Sequence, residues 1–221
     1  MKAHVFLEML QQSGVKQVFI PGAIGKQSKK KGEADSFLRL KEEVVRCTHC
    51  KELAASRRSV VFGSGNRTAD LVFVGEAPGA EEDRQGLPFV GPAGQLLTKM
   101  IESIGFRREE VYIANVLKCR PPGNRTPKPA EIENCEPYLA AQLSLIQPKL
   151  ICALGTFAAQ TLLKTTTPIS ALRGRIHRYQ QIPVICTFHP AYLLRSPAEK
   201  GKAWEDLKKV RTTLRELSRQ A

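Results

Sequence analysis

No stretch of the sequence stays apolar for anything near the ~18 residues that a bilayer-spanning helix needs. Met1 to Gly14 carries Glu8 and two glutamines and is followed by no small-residue cleavage site. These absences predict a soluble protein of the cytoplasm with no membrane-spanning segment. Acidic residues are scarce: 21 Asp+Glu face 34 Lys+Arg, a net charge of +13. That excess suits a polyanion such as nucleic acid, or an anionic membrane surface, because Lys and Arg gain affinity by releasing condensed counterions, and charge alone does not separate the two. Cysteine is also sparse. Six in 221 residues are too few for a disulfide scaffold, so their spacing reads as metal ligation or burial. There are no internal repeats, and 42% hydrophobic residues are enough to bury a core, which excludes fibrous and disordered classes. The length favours one domain.

What is present falls into two parts. Residues 1–35 include the run Lys26-Gln-Ser-Lys-Lys-Lys-Gly32 with no apolar anchor, which predicts a flexible basic extension. From Ser36 a helical pattern runs into Cys47-Thr-His-Cys50. Beyond it, short apolar strands alternate with helices: strands at 71–74, 111–116, 150–154 and 182–188, and helices at 92–104, 129–146, 157–163 and 203–219. This alternation predicts an α/β layer architecture around a central four-stranded parallel sheet, over residues 36–221. In such sheets ligands bind outside the carboxyl ends of the strands. The unusual residues of this chain lie there.

The first strand runs into Gly75-Glu-Ala-Pro-Gly79 and then Glu81-Glu82-Asp83. The segment lacks GxGxxG and the Lys-Ser/Thr of a phosphate loop, and its carboxylates would repel a phosphate, which argues against an NTPase. The run 81–83 reads equally as a solvated acidic loop. Asn115 ends an apolar strand, where its amide either reads a complementary imide edge such as O4 and N3–H of uracil or bonds to neighbouring backbone. Phe89 lies between glycines and is either a stacking platform for a base or a plug for the core. His189 precedes Pro190, which predicts an extended turn that presents the imidazole at a strand end. Cationic side chains gather in Lys118–Lys128, which contains Arg120 and Arg125, and in Arg173–Arg178, which contains Arg175; with Arg195 they would ring a site that contacts phosphates. Cys47, Cys50, Cys119 and Cys135 form a scattered thiolate set open to zinc or to an iron–sulfur centre, whereas Cys152 and Cys186 read as core.

Taken together, GEAPGAEEDRQGLPFVGPAG (75–94), NVLKCRPPGNRTPKPAEIENC (115–135) and TFHPAYLLR (187–195), with CTHC upstream, resemble the family 4 uracil-DNA glycosylases over about Ser36 to Leu214. The resemblance implies a compact three-layer α/β/α sandwich, a [4Fe-4S] cluster held by Cys47, Cys50, Cys119 and Cys135, and hydrolysis of the bond between uracil and deoxyribose in DNA. It further implies that Glu76 and the backbone of Ala77 line the pocket beside that bond, that Phe89 stacks on the flipped base, that Asn115 reads its edge and that His189 sits over O2. Uracil-containing DNA is then the partner, with a monomer expected and repair proteins such as a sliding clamp as further candidates. Two departures bear on mechanism. Ala77 stands where the best-known family of the superfamily has its water-activating aspartate, which moves that role to Glu76. Ala80 stands where many family 4 motifs carry an acid, leaving Glu81, Glu82 or Asp83 as substitutes. Arg120 to Lys128 contains no histidine of the kind a covalently trapping relative uses, so turnover is expected. The competing expectation from charge and cysteines alone is a non-enzymatic, metal-stabilised nucleic-acid-binding protein.

Overall fold

The computed structural model describes the backbone of residues 26–219, with side chains from residue 36. Residues 1–25 lie outside the described residues, and with them most of the expected extension 1–35. Helix α1 (Lys26–Arg46) leads into the CTHC turn, and α2 (Lys51–Ser56) starts directly after Cys50. Then follow β1 (Ser64–Gly65), β2 (Leu71–Gly75), α3 (Ala80–Gln85), α4 (Pro92–Ser103), β3 (Tyr112–Asn115), α5 (Pro129–Ile146), β4 (Leu150–Leu154) and α6 (Thr156–Leu163). The chain closes with α7 (Ile169–Leu172), β5 (Ile176–Tyr179), β6 (Ile182–Thr187), α8 (Pro190–Arg195) and α9 (Lys200–Arg219).

The sheet has six strands in the order β1-β3-β2-β4-β6-β5. Its four central strands are parallel, as the apolar runs predict, and short antiparallel strands flank them at both edges. The expected count of four is thereby corrected to six. The two edge strands escape a periodicity reading for a physical reason: Ser64-Gly65 is two residues long, and Ile176-His-Arg-Tyr179 is an edge with one face in solvent, so its polar content looks like a loop.

Each central strand is buried on both faces, and its alternate residues feed two separate cores. Val72 and Val74 point into one with Phe37, Leu139, Leu143, Ala158 and Leu162, which come from α1, α5 and α6. Leu71 and Phe73 point into the other with Leu97, Ile101, Leu193, Leu207 and Val210, from α4, α8 and α9. Full burial of each such side chain contributes about 1.5–3 kcal/mol. The result is three layers, α/β/α.

Register and connectivity together place the site. Gly75 pairs with Asn115 and Leu154 with Thr187, so all four carboxyl ends finish at one rim of the sheet. From β2 the chain passes to β3 on one side and later returns to β4 on the other. The order reverses at β2, and a crevice opens where the loops diverge.

Candidate active site

That crevice is a cleft of 380 Å³ lined by Glu76, Ala77, Phe89, Asn115, His189 and Arg195, with Glu82, Arg125 and Tyr192 among its other walls. Four of the expected residues arrive from three different strand ends. The loops after β2 and β3 are zipped by their backbones, Val116 N donating to Gly75 O (3.0 Å) and Leu117 N to Glu76 O (3.0 Å).

Asn115 is 1% exposed, and its Oδ1 is a buried acceptor with no partner among the described residues. An unpaired buried oxygen costs about 1–3 kcal/mol, so a strand end that keeps one is built for a donor that arrives later. Gly75 makes the room. A Cβ there would lie 2.4 Å from Asn115 Oδ1 and 2.5 Å from Phe89 Cζ, so any side chain would fill the slot between amide and ring. Phe89 is buried, with its ring 5.5 Å from that of His189 at 32°.

His189 caps α8. Its backbone is extended (φ −68°, ψ 137°), as expected before a proline, but Pro190 opens a helix at its first position instead of barring one. Nδ1 accepts the Ala191 N–H at 3.1 Å. That bond leaves the ring proton on Nε2. Burial, reinforced by the Arg195 charge, pushes the imidazole pKa down to about 4, with Glu82 opposing. The ring is therefore neutral at physiological pH and presents one N–H donor. Gly155 gives it space, since a Cβ at that position (φ +86°) would come 2.9 Å from His189 Cβ. Glu76 is half-buried, and desolvation raises its carboxyl above the ordinary 4.5.

The acidic run is not a solvated loop. Asp83 is 2% exposed and accepts from the amides of Arg58 (2.9 Å) and Ser59 (3.2 Å). Glu82 accepts from Gly79, Val90 and Gly91, and Glu81 pairs with Arg84. Glu76 and Glu82 are the carboxylates that line the cleft, and among the described residues the Glu76 carboxylate has no hydrogen-bond donor.

The cationic residues divide. Arg195 is exposed at the cleft. Arg125 lines it but forks onto Glu131 (2.6 and 3.0 Å) and reaches Glu52 at 3.1 Å, contacts that raise its pKa. Arg120 donates to Asn124 Oδ1 at 2.7 Å. Arg173 and Arg175 are not among the lining residues. The Arg173 guanidinium forks onto buried Asp206 (3.0 Å twice) and lies over Phe188, which ties α9 to the end of α7. Lys118, placed by charge in a phosphate-contacting loop, is 1% exposed and donates to Asn115 O (2.8 Å) and Gln142 Oε1 (2.6 Å). Burial pushes its pKa down to about 8.

Cys47, Cys50, Cys119 and Cys135 all pack against the first core. Burial raises the thiols of Cys50, Cys119 and Cys135, the last to about 12, and charge on Cys47 and Cys50 is felt at Cys119. N–H donors surround the sulfurs: Arg57 Nη1 stands 3.0 Å from Cys119 Sγ, Lys118 N 3.2 Å from Cys135 Sγ and Asn134 Nδ2 3.6 Å from Cys50 Sγ. Among the described residues no group of three or more His, Cys, Asp or Glu side chains is closed around a point to hold a metal ion.

An α/β/α sandwich with a cleft at its sheet rim, walled by an aromatic ring, a buried amide and a neutral imidazole, defines an α/β protein with its site at the strand carboxyl ends. The sequence pattern of the Uracil DNA glycosylase superfamily matches residues 62–208, and the chain belongs to that superfamily. Its relatives include type-4 uracil-DNA glycosylases. That of Archaeoglobus fulgidus is 46% identical over 176 residues, 76% of this chain and 88% of the relative. That of Thermotoga maritima is 45% identical over 79% of this chain and 92% of its own, and that of Sulfurisphaera tokodaii 43% over 80% and 84%.

Proposed function

We propose that this chain, a uracil-DNA glycosylase, initiates DNA repair by hydrolysing the N-glycosidic bond of uracil, with Glu76 and His189 as its working pair. The observation that carries this reading is the slot itself. Asn115 Oδ1 is unpaired, Gly75 has no side chain to occupy the space, and Phe89 and His189 flank it. A uracil drawn out of the stack offers N3–H to that oxygen, its face to the Phe89 ring and O2 to His189 Nε2–H. Extrusion costs a few kcal/mol, least for a mispaired or single-stranded base.

The chemistry follows from where charge develops. Bond cleavage leaves an oxocarbenium-like sugar and a uracil anion, so a donor is needed at O2 and a carboxylate near the sugar. The neutral His189 ring supplies the donor. Glu76 supplies negative charge and holds the attacking water. Arg195 at the rim is placed to meet a phosphate.

The four cysteines carry the donor set of a [4Fe-4S] cluster: Cys119 and Cys135 are buried and Cys47 and Cys50 half-buried, and the N–H donors beside them with the cations of Arg57 and Lys118 oppose the burial that disfavours anionic thiolate sulfur. Bound there, the cluster would cross-link the CTHC turn, the end of the Asn115 loop and α5. Metal binding of this kind couples to folding. Purified protein is expected to show visible iron–sulfur absorption, and Cys135→Ser to lose it together with a lower unfolding temperature. A colourless wild type that melts with the variant would refute the assignment.

The activity is tested with a uracil-containing duplex and alkali. Strand scission confined to the uracil position is expected, with the thymine control intact. Equal binding of both duplexes and no release of base would favour a non-enzymatic binding protein.

A further inference from the structure

Phe89 holds its ring in the slot through a backbone that an aromatic residue rarely adopts. Its φ is +52°, in the left-handed region, and strain of this kind persists where the surroundings over-determine it. Both sides of the residue are gripped. Arg108 Nη2 donates to Pro88 O (2.7 Å) and Phe89 O (3.0 Å), while its Nη1 is fixed on Thr98 Oγ1 (3.0 Å). On the other side Glu82 Oε1 accepts from Val90 N (2.8 Å) and Gly91 N (2.9 Å), and Oε2 accepts from Gly79 N (3.1 Å). The fit is close: a Cβ at Gly94 would stand 1.8 Å from Phe89 O.

We propose that Arg108 and Glu82 are positioning residues that lock Phe89 in its left-handed conformation and so keep the stacking ring aimed into the base slot. A cation takes the two carbonyls and an anion the two following amides. The peptide dipoles around Phe89 are thus fixed by one charge from α3, before its loop, and one from the short turn Arg108–Glu110 that follows α4. Glu82 also reaches the Gly75–Gly79 loop through Gly79 N, so one carboxylate keeps the segment that carries Glu76 in step with the segment that carries Phe89. Arg108 lies on neither segment. It stands in a short turn after α4, and its hydrogen bonds to the site run to backbone carbonyls.

This proposal rests on Phe89 stacking against the base, and a double-mutant cycle separates the two ideas. Stacking on an aromatic is worth about 1–3 kcal/mol per base, so Phe89→Ala should lower kcat/KM on a uracil-containing oligonucleotide about five- to 160-fold. Arg108→Met, which keeps the apolar stem, should lower it about tenfold. In the Phe89→Ala background it should cost less than about twofold, because residues that act through one another are not additive. Hydrogen exchange at Val90 and Gly91 should quicken in Arg108→Met while β2 amides keep their protection. An Arg108→Met effect that is absent in the wild-type background, or undiminished in Phe89→Ala, overturns the clamp. A fully active Phe89→Ala overturns the stacking role instead. Should Arg108→Met fail to fold, the same cycle is run with Glu82→Gln, which keeps shape and one acceptor oxygen and should show a smaller loss that again vanishes in Phe89→Ala.

Discussion

His189→Ala is expected to lower kcat about 10²–10³-fold, the usual cost of removing one donor from a site where an oxyanion forms. KM should change little, because the Nε2–H bond to O2 strengthens as negative charge moves onto the base, and an interaction of that kind appears in kcat. The residue has a second role that complicates a simple reading. Its Nδ1 caps α8 by accepting the Ala191 N–H, and loss of a cap costs about 1 kcal/mol. His189→Asn separates the two roles, since a side-chain oxygen is an equally good cap but the Nε2–H is gone. The prediction is an unfolding temperature close to wild type for Asn, a lower one for Ala, and the same large rate loss in both. Full activity in His189→Asn would remove the imidazole from the chemistry. The pH dependence is also signed. With the folded pKa at about 4 against an ordinary 6.5, the unfolded chain binds a proton that the native ring refuses. The stability contribution is therefore complete above the range of a free imidazole and is lost as pH falls through it toward 4.

Much of this site is legible in the sequence because chemistry-bearing residues stand at strand ends, and strand ends can be read from apolar runs. Leu71–Val74 and Tyr112–Ala114 are continuous hydrophobic stretches, so Glu76 and Asn115 fall at the rim of a parallel sheet by register alone. The motifs shared with the family 4 glycosylases then bring Phe89 and His189 to the same place. Residues whose function lies in what they lack or in whom they hold are not legible in this way. Gly75 matters because the slot needs its missing Cβ, which depends on the Phe89 ring lying across it. Lys118 belongs by charge to a surface loop, yet its ammonium is buried against Asn115 O and Gln142. That bond is set by a helix partner 24 residues away. Arg173 looks like a phosphate contact until Asp206 is brought beside it. Charge in a sequence gives the number of cations. Only packing says which of them are already paired.

Glu76→Gln is expected to lower kcat about 10²–10⁴-fold, the range associated with a positioned general base. Three neighbouring carboxylates could in principle replace it, but Asp83 is held by Arg58 and Ser59 and Glu82 by Gly79, Val90 and Gly91, while Glu81 is exposed, pairs with Arg84 and does not line the cleft. Burial raises the Glu76 carboxyl above the ordinary 4.5, whereas His189 becomes cationic only near pH 4. The acid limb of the wild-type rate profile should therefore follow Glu76, with activity falling as pH drops through a value above the usual carboxylate range. In Glu76→Gln that limb should disappear, leaving a low, flat rate down to the point where His189 protonates. An acid limb that survives unchanged in the variant, or turnover at the wild-type level, would show that the water is held elsewhere. Glu76→Asp distinguishes the two uses of the charge. It preserves the electrostatic attraction for an oxocarbenium-like sugar but withdraws the oxygens by one methylene from the water they hold. If attraction dominates, the Asp variant keeps most of the rate. If the water must be held, it falls close to Gln, because a nucleophile displaced by 1 Å forfeits about 10²-fold.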